Sequence, residues 1–227
     1  MKAFILVGGL ATRLGDLAKQ TPKAMQDING KPFLQYQIEY LRDNGVKEIV
    51  LLVGHLSDVI KNYFGNGDKF GVKINYSYED VPLGTGGAVK NAERFVDGTF
   101  MVLNGDTYFE FDYEKLLNLH KQTNAKATLV LNKVPNAGDY GNVVLSEKRI
   151  IKFEEKSNKG DGLINCGVYM FEPEVLNLVP NAKKVSIETE VFPKLVERKQ
   201  MFGLELDNYF VDIGVPKRLE DFRQKMR

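Results

Sequence analysis

The most restrictive feature of this chain is a run of five apolar residues, Ala3 to Val7, that runs into two adjacent glycines, Gly8-Gly9, and then Leu10-Ala11-Thr12-Arg13-Leu14. A short apolar run closed by a glycine turn reads as a buried strand. Glycines at its carboxyl end let the backbone turn with successive N–H groups converging, which makes a nest for phosphate. Arg13 adds a forked cation, and Lys23, ten residues on, a point charge. Neither Gly-x-x-x-x-Gly-Lys-Ser/Thr nor Gly-x-Gly-x-x-Gly occurs at this turn, so the two familiar phosphate loops are excluded.

The first half of the chain continues in alternation. Leu34, Ile38 and Leu41 recur at helical spacing before Asn44-Gly45. Glu48 to Val53 reads as a strand, Ser57 as the cap of a short helix, and Val72, Ile74, Tyr76 and Tyr78 as an alternating strand. A helix opens at Leu83-Gly84-Thr85-Gly86-Gly87, and the strand Phe100 to Leu103 ends in Asn104-Gly105-Asp106. Strands alternating with amphipathic helices predict an α/β fold whose mostly parallel sheet is covered on both faces. Beyond Tyr113 the strands shorten, and turns at Gly138-Asp139 and Gly160-Asp161-Gly162 predict an antiparallel or mixed addition.

With 227 residues, 43% of them hydrophobic, one domain is expected. Lys plus Arg number 31 against 30 for Asp plus Glu, so no bulk basic field draws the chain to nucleic acid, and phosphate attraction has to be local. The single Cys166 rules out an intrachain disulfide. Without a signal peptide or long apolar run, a soluble cytoplasmic protein that does not enter a membrane is expected.

Three carboxylates stand out by position. Asp106 follows a buried strand directly, at the edge where open α/β sheets bind ligands; read alone it serves equally well as a turn cap. Beside a phosphate nest it suits Mg²⁺, which is held by one or two carboxylates together with phosphates. Asp212, in Phe210-Val211-Asp212-Ile213-Gly214-Val215-Pro216, ends another strand and is compatible with a second metal-facing carboxylate. Glu79 opens Glu79-Asp80-Val81-Pro82-Leu83-Gly84-Thr85-Gly86-Gly87, where glycines admit a flat ring close to the backbone.

These segments, with Thr21-Pro22-Lys23-Ala24-Met25 and Gly30-Lys31-Pro32-Phe33-Leu34, resemble the sugar-1-phosphate nucleotidyltransferases, or NDP-sugar pyrophosphorylases. The likeness runs from Gly8 to Pro216. It implies a Rossmann-like α/β fold with a mixed, mostly parallel sheet flanked by helices and a small antiparallel sugar-binding lobe. It also implies one nucleotidyltransferase domain over 1–227, with 1–112 mainly nucleotide-binding and 113–227 mainly sugar-phosphate-binding. By the same resemblance Arg13, Lys23, Asp106 and Asp212 are catalytic, and Asp106 and Asp212 hold Mg²⁺. Leu6, Gly8, Gly9, Thr12, Arg13, Glu79, Pro82, Gly84 and Thr85 meet the nucleoside triphosphate, while Gly141, Glu155, Lys156, Asn165 and Glu188 meet the sugar 1-phosphate. Glu79, at the position that reads the base, would accept from the N1–H and N2–H₂ of guanine, which points to GTP.

Within the family, Gly-Gly-Leu-Ala-Thr-Arg-Leu, Asn-Gly-Lys-Pro-Phe-Leu and Leu-Asn-Gly-Asp-Thr-Tyr-Phe are most similar to the D-glycero-D-manno-heptose 1-phosphate guanylyltransferases. Mannose-1-phosphate guanylyltransferases come next, and cytidylyl or uridylyl transfer on the same fold is an alternative. A noncatalytic nucleotide-sugar sensor would not need the whole charge set. Ala11 replaces the family's usual glycine, Val215 stands for threonine, and Ala24 and Gln26 stand where prolines are common. Oligomeric state, monomer or dimer, is left open.

Overall fold

The computed structural model of the protein describes residues 1–9, 21–155 and 160–227. In chain order the elements are β1 (Lys2–Leu6), a short hairpin of β2 (Asp27–Ile28) and β3 (Lys31–Pro32), α1 (Phe33–Asp43), β4 (Glu48–Val53), α2 (Ser57–Phe64), β5 (Lys73–Tyr78), α3 (Gly84–Asn91), β6 (Phe100–Asn104) and β7 (Thr107–Phe109). The second half adds α4 (Tyr113–Gln122), β8 (Ala127–Val134), β9 (Gly141–Ser146), β10 (Arg149–Glu155), β11 (Gly162–Phe171), α5 (Phe192–Glu197), β12 (Met201–Leu206), β13 (Phe210–Asp212) and α6 (Pro216–Lys225). A π-helical turn, Ile187–Val191, leads into α5.

Among the described residues nine strands form one sheet in the order β5-β4-β1-β6-β11-β8-β12-β10-β9, in which β10 and β11 run against the rest. Strands of both halves of the chain therefore share one sheet. The antiparallel addition is its far edge, the β9–β10 hairpin, with β11 inserted between β6 and β8.

Burial on both faces explains the unbroken apolar runs. In β1, Ala3 and Ile5 pack beneath α1, α2 and α4 with Leu34, Ile38, Ile60, Phe64 and Leu116. Phe4 points the other way, into a layer that includes Val89 of α3, Phe192 and Leu195 of α5, and Phe100, which meets the Phe4 ring at a centroid distance of 4.9 Å. Cys166 is fully buried in the first layer, and its thiol is pushed up by desolvation, which leaves it an inert wall residue. Ser57 does not cap α2: Leu56 holds the cap position at φ 57°, and Ser57 is the first helical residue.

At the end of the sheet away from the β-strand carboxyl termini, His120 of α4 is buried. Its Nδ1 lies 2.8 Å from Thr128 Oγ1 and its Nε2 3.1 Å from Glu172 Oε1, which also accepts from Thr99 Oγ1 at 2.7 Å. An ionised Glu172 only accepts, so Nε2 carries the hydrogen and Nδ1 accepts from the Thr128 hydroxyl. Desolvation lowers the His120 pKa, with Glu172 opposing. The folded state thus binds the proton less readily than the unfolded chain, so stability is complete above the ordinary histidine value of about 6.5 and is lost as pH falls below it. Urea midpoints measured from pH 7.5 to 5.5 are expected to fall in the wild type and to fall less in His120→Gln; parallel profiles would refute this.

Candidate active site

The carboxyl ends of β1, β4 and β6 open into a cleft of about 540 Å³. Of the residues expected to meet the nucleotide, Leu6, Gly8, Gly9, Glu79, Pro82, Gly84 and Thr85 all line it, and so do Lys23 and Asp106. Thr12, Arg13 and Lys156 lie outside the described residues, as does the side chain of Glu155.

At one end of the cleft β6 passes hard against β1. Gly105 N–H donates to Leu6 O at 3.0 Å, and a Cβ on Gly105 would stand 2.5 Å from both Leu6 O and Val7 Cγ1. The glycine of Asn-Gly-Asp is therefore required for close approach, and it delivers Asp106 to the cleft that Gly8 and Gly9 also line. Asp212 arrives by a different route. Its strand β13 pairs outside the main sheet with β7, in the register Asp212 opposite Thr107, and Ile213 N–H donates to Asp106 O at 2.9 Å. An aromatic cluster holds this ribbon: Phe222 of α6 lies within 5.3 Å of the rings of Phe33 and Tyr108.

Lys23 closes the group. Its Nζ lies 2.5 Å from Asp106 Oδ2 and 3.4 Å from Asp212 Oδ1. Asp212 Oδ1 also accepts from Gly214 N–H at 2.6 Å, and its Oδ2 faces Arg218 Nη1 at 3.5 Å. Although Ala24 and Gln26 replace prolines, the loop is fixed by a tight turn: Met25 N–H donates to Pro22 O at 2.8 Å, Phe33 N–H to Gln26 O at 2.9 Å, and Ala24 is buried. Two carboxylates converging on one cation at the edge of this cleft have the donor chemistry of a Mg²⁺ site completed by further oxygen ligands. No group of three or more His, Cys, Asp or Glu side chains suited to a metal occurs among the described residues.

The other end of the cleft is built on Glu79, immediately after β5. Its Oε2 accepts from Leu83 N–H at 3.1 Å. A Cβ on Gly8 would lie 2.7 Å from its Oε1, and one on Gly54 3.0 Å, so two glycines make room for this carboxylate. Burial raises its pKa, with the Leu83 N–H opposing.

The glycines of Gly84-Thr85-Gly86-Gly87 do something the sequence did not suggest. Residues 183–185 lie against them: Val185 N–H donates to Leu83 O at 2.8 Å and Gly86 N–H to Val185 O at 2.8 Å. A Cβ on Gly84 would sit 2.6 Å from Val185 O, and one on Gly87 2.5 Å from Lys183 O. Close approach is needed here by the protein's own chain, which brings Lys184 to the cleft wall. Lys184, Leu52, Ala88 and Asn104 were missed as lining residues; only the paired Lys183-Lys184 ahead of Ser186-Ile187-Glu188 could have signalled one of them.

The expected sugar-phosphate residues lie on the second half. Gly141 begins β9 opposite Glu155 of β10. Asn165 stands at a bulge in β11, its Oδ1 accepting from Gly167 N–H and its Nδ2 donating to Tyr169 Oη, both at 2.9 Å. Tyr140, next to Gly141, is held between the Phe210 ring at 5.3 Å and the Arg218 guanidinium at 4.9 Å, and Arg218 Nη2 reaches Asp139 Oδ2 at 2.6 Å. Glu188 Oε2 accepts from Thr85 Oγ1 at 2.8 Å, which ties a residue expected at the sugar to one expected at the nucleotide.

Comparison with known proteins gives this geometry a lineage. A D-glycero-alpha-D-manno-heptose 1-phosphate guanylyltransferase of Campylobacter jejuni is 44% identical over 222 residues, 96% of each chain, and a protein of the same name from Aneurinibacillus thermoaerophilus is 38% identical over 228 residues, 100% of this chain and 97% of that one. The crystal structure of HddC from Yersinia pseudotuberculosis complexed with GMP-PN matches with a TM-score of 0.88 at 32% identity, covering 100% of this chain and 99% of that chain. The family model for nucleotidyl transferases spans residues 2–227, so the cleft and both of its ends fall within a single match: this chain belongs to the nucleotidyl transferase family.

Proposed function

We propose that the protein transfers GMP from GTP to a sugar 1-phosphate, D-glycero-α-D-manno-heptose 1-phosphate, with release of pyrophosphate. The observation that carries this reading is the cleft itself, with Lys23, Asp106 and Asp212 drawn together at its phosphate end and Glu79 at its base end. The names of the relatives supply the guanylyl group and the sugar.

The sugar phosphate oxygen attacks the α-phosphorus in line and pyrophosphate leaves. The nucleophile is an anion at neutral pH, so no general base is needed, and catalysis consists of positioning and charge neutralisation. Lys23 meets the charge developing at the α-phosphate, and Arg13 with the Gly8-Gly9 amides and Thr12 holds the β and γ phosphates. Asp106 and Asp212 would hold Mg²⁺, which supplies Lewis-acid neutralisation of the phosphates when bound. Gly141, Glu155, Asn165 and Glu188 meet sugar hydroxyls and Lys156 the sugar phosphate. No helix among the described residues is long and apolar enough to cross a membrane.

Glu79 sets the base. Its carboxylate accepts from guanine N1–H and N2–H₂, whereas Glu79→Gln places an amide donor there. The expected result is a loss of GTP kcat/KM of about 10–100-fold with little change for UTP. Guanine binds the ionised carboxylate, so GTP affinity should rise with pH through the raised Glu79 range and be flat in Glu79→Gln. Pyrophosphate release measured over four nucleoside triphosphates and a panel of sugar 1-phosphates tests the whole reading. Preference for UTP or CTP would overturn the guanylyl assignment, and no release from any pair would overturn transfer.

A further inference from the structure

Thr85 lines the nucleotide cleft, yet its hydroxyl is committed elsewhere. Its Oγ1 accepts from Ile187 N–H at 2.8 Å and donates to Glu188 Oε2 at 2.8 Å. A backbone N–H can only donate, so the single hydroxyl hydrogen of Thr85 has to point at the carboxylate. Ser186 Oγ donates to the same Oε2 at 2.9 Å while accepting from Thr189 N–H at 3.2 Å, which fixes its hydrogen in the same way. Two oriented hydroxyls thus saturate one oxygen of Glu188 and leave Oε1 as the face available to a ligand.

We propose that Thr85 is a positioning residue for the sugar-phosphate side: through this amide–hydroxyl–carboxylate relay it aims Glu188 Oε1 at a sugar hydroxyl, and its hydroxyl takes no part in binding the base. The proposal rests on the assignment of Glu188 as a sugar contact. The packing of residues 183–185 on the glycine face of α3 supports it independently, because the backbone bonds of Val185, from its N–H to Leu83 O and to its O from the Gly86 and Gly87 N–H groups, seat this segment on the helix before any side chain contributes. A glutamate side chain gives up several rotamers to be held in one, and two hydrogen bonds to a charged oxygen are what hold this one. With one of them gone, Glu188 is less often in the binding geometry and the sugar loses affinity.

The test is steady-state pyrophosphate release with GTP and D-glycero-α-D-manno-heptose 1-phosphate, varying each in turn. Thr85→Val keeps the side-chain shape without the hydroxyl and is expected to raise KM for the sugar phosphate about tenfold, the effect of losing one hydrogen bond to a charged group, while KM for GTP stays within about twofold. Thr85→Ser should recover most of that loss. Ser186→Ala, which leaves the Ile187 N–H satisfied, should raise the same KM and guards against misfolding of the valine variant. A rise in KM for GTP instead, or no change in either constant with Thr85→Val and Ser186→Ala, would overturn the proposal. Glu188→Gln separates it from the reading beneath: if that variant leaves the sugar KM unchanged, Glu188 is not a sugar contact and the proposal falls with it. If Glu188→Gln raises the sugar KM and Thr85→Val does not, the positioning role alone falls.

Discussion

Lys23→Met is expected to lower kcat for pyrophosphate release by about a thousandfold, the scale at which removing one preorganised charge from a transition state is felt. Lys23 is the cation common to both carboxylates, with Nζ 2.5 Å from Asp106 and 3.4 Å from Asp212, and its side chain is 12% exposed. In the proposed reaction its charge is needed most when the α-phosphate is five-coordinate, so kcat rather than KM for GTP takes the loss. Stability should change little. Asp212 keeps the Gly214 N–H at 2.6 Å and Arg218 at 3.5 Å, and Asp106 is 34% exposed, so neither carboxylate is left buried without a partner. Lys23→Arg should not restore turnover, because a planar fork cannot replace a point charge between two carboxylates in a tight turn. Turnover within tenfold of the wild type in Lys23→Met would remove Lys23 from the mechanism.

The strand framework was legible in the chain because burial on both faces writes itself as apolar runs. β1, β4 and β6 were read nearly to the residue, and Asp106 was placed by its position after one of them. What could not be read was pairing over long separations. The strand that ends at Asp212 was read, and the resemblance put Asp212 with Asp106, but β7 has only three residues, too few for a period, so the β7–β13 ribbon that brings the two together was not. The glycines of Gly84 to Gly87 were legible as a demand for close approach but not for what approaches: residues 183–185, almost a hundred positions away, pack against them, while Gly84 and Thr85 still line the cleft. Leu52 and Ala88 look like core because a cleft wall and a core use the same residues, and only the fold separates them.

Asp106→Asn and Asp212→Asn should each reduce kcat by about a hundredfold or more, as expected if both carboxylates hold the metal that neutralises the reacting phosphates. Their stabilities should separate. Asp212 is 13% exposed and uses both oxygens, Oδ1 toward Gly214 N–H and Oδ2 toward Arg218. Asparagine can keep one of these acceptors, but its amide N–H₂ then faces either the Gly214 N–H or the guanidinium, a donor against a donor. That mismatch costs about 1–3 kcal/mol, a melting temperature lower by several degrees in a chain of this size. Asp106 is one-third exposed, and Lys23 can move to solvent or to Asp212, so Asp106→Asn should melt with the wild type. The same asymmetry bears on the metal. Mg²⁺ titrations of activity should show a raised half-saturation in both variants, and Mn²⁺ binding followed by electron paramagnetic resonance without turnover should weaken in both. Turnover near the wild-type value in Asp106→Asn, or undiminished Mn²⁺ binding in both variants, would show that the two carboxylates meet at Lys23 for structure alone.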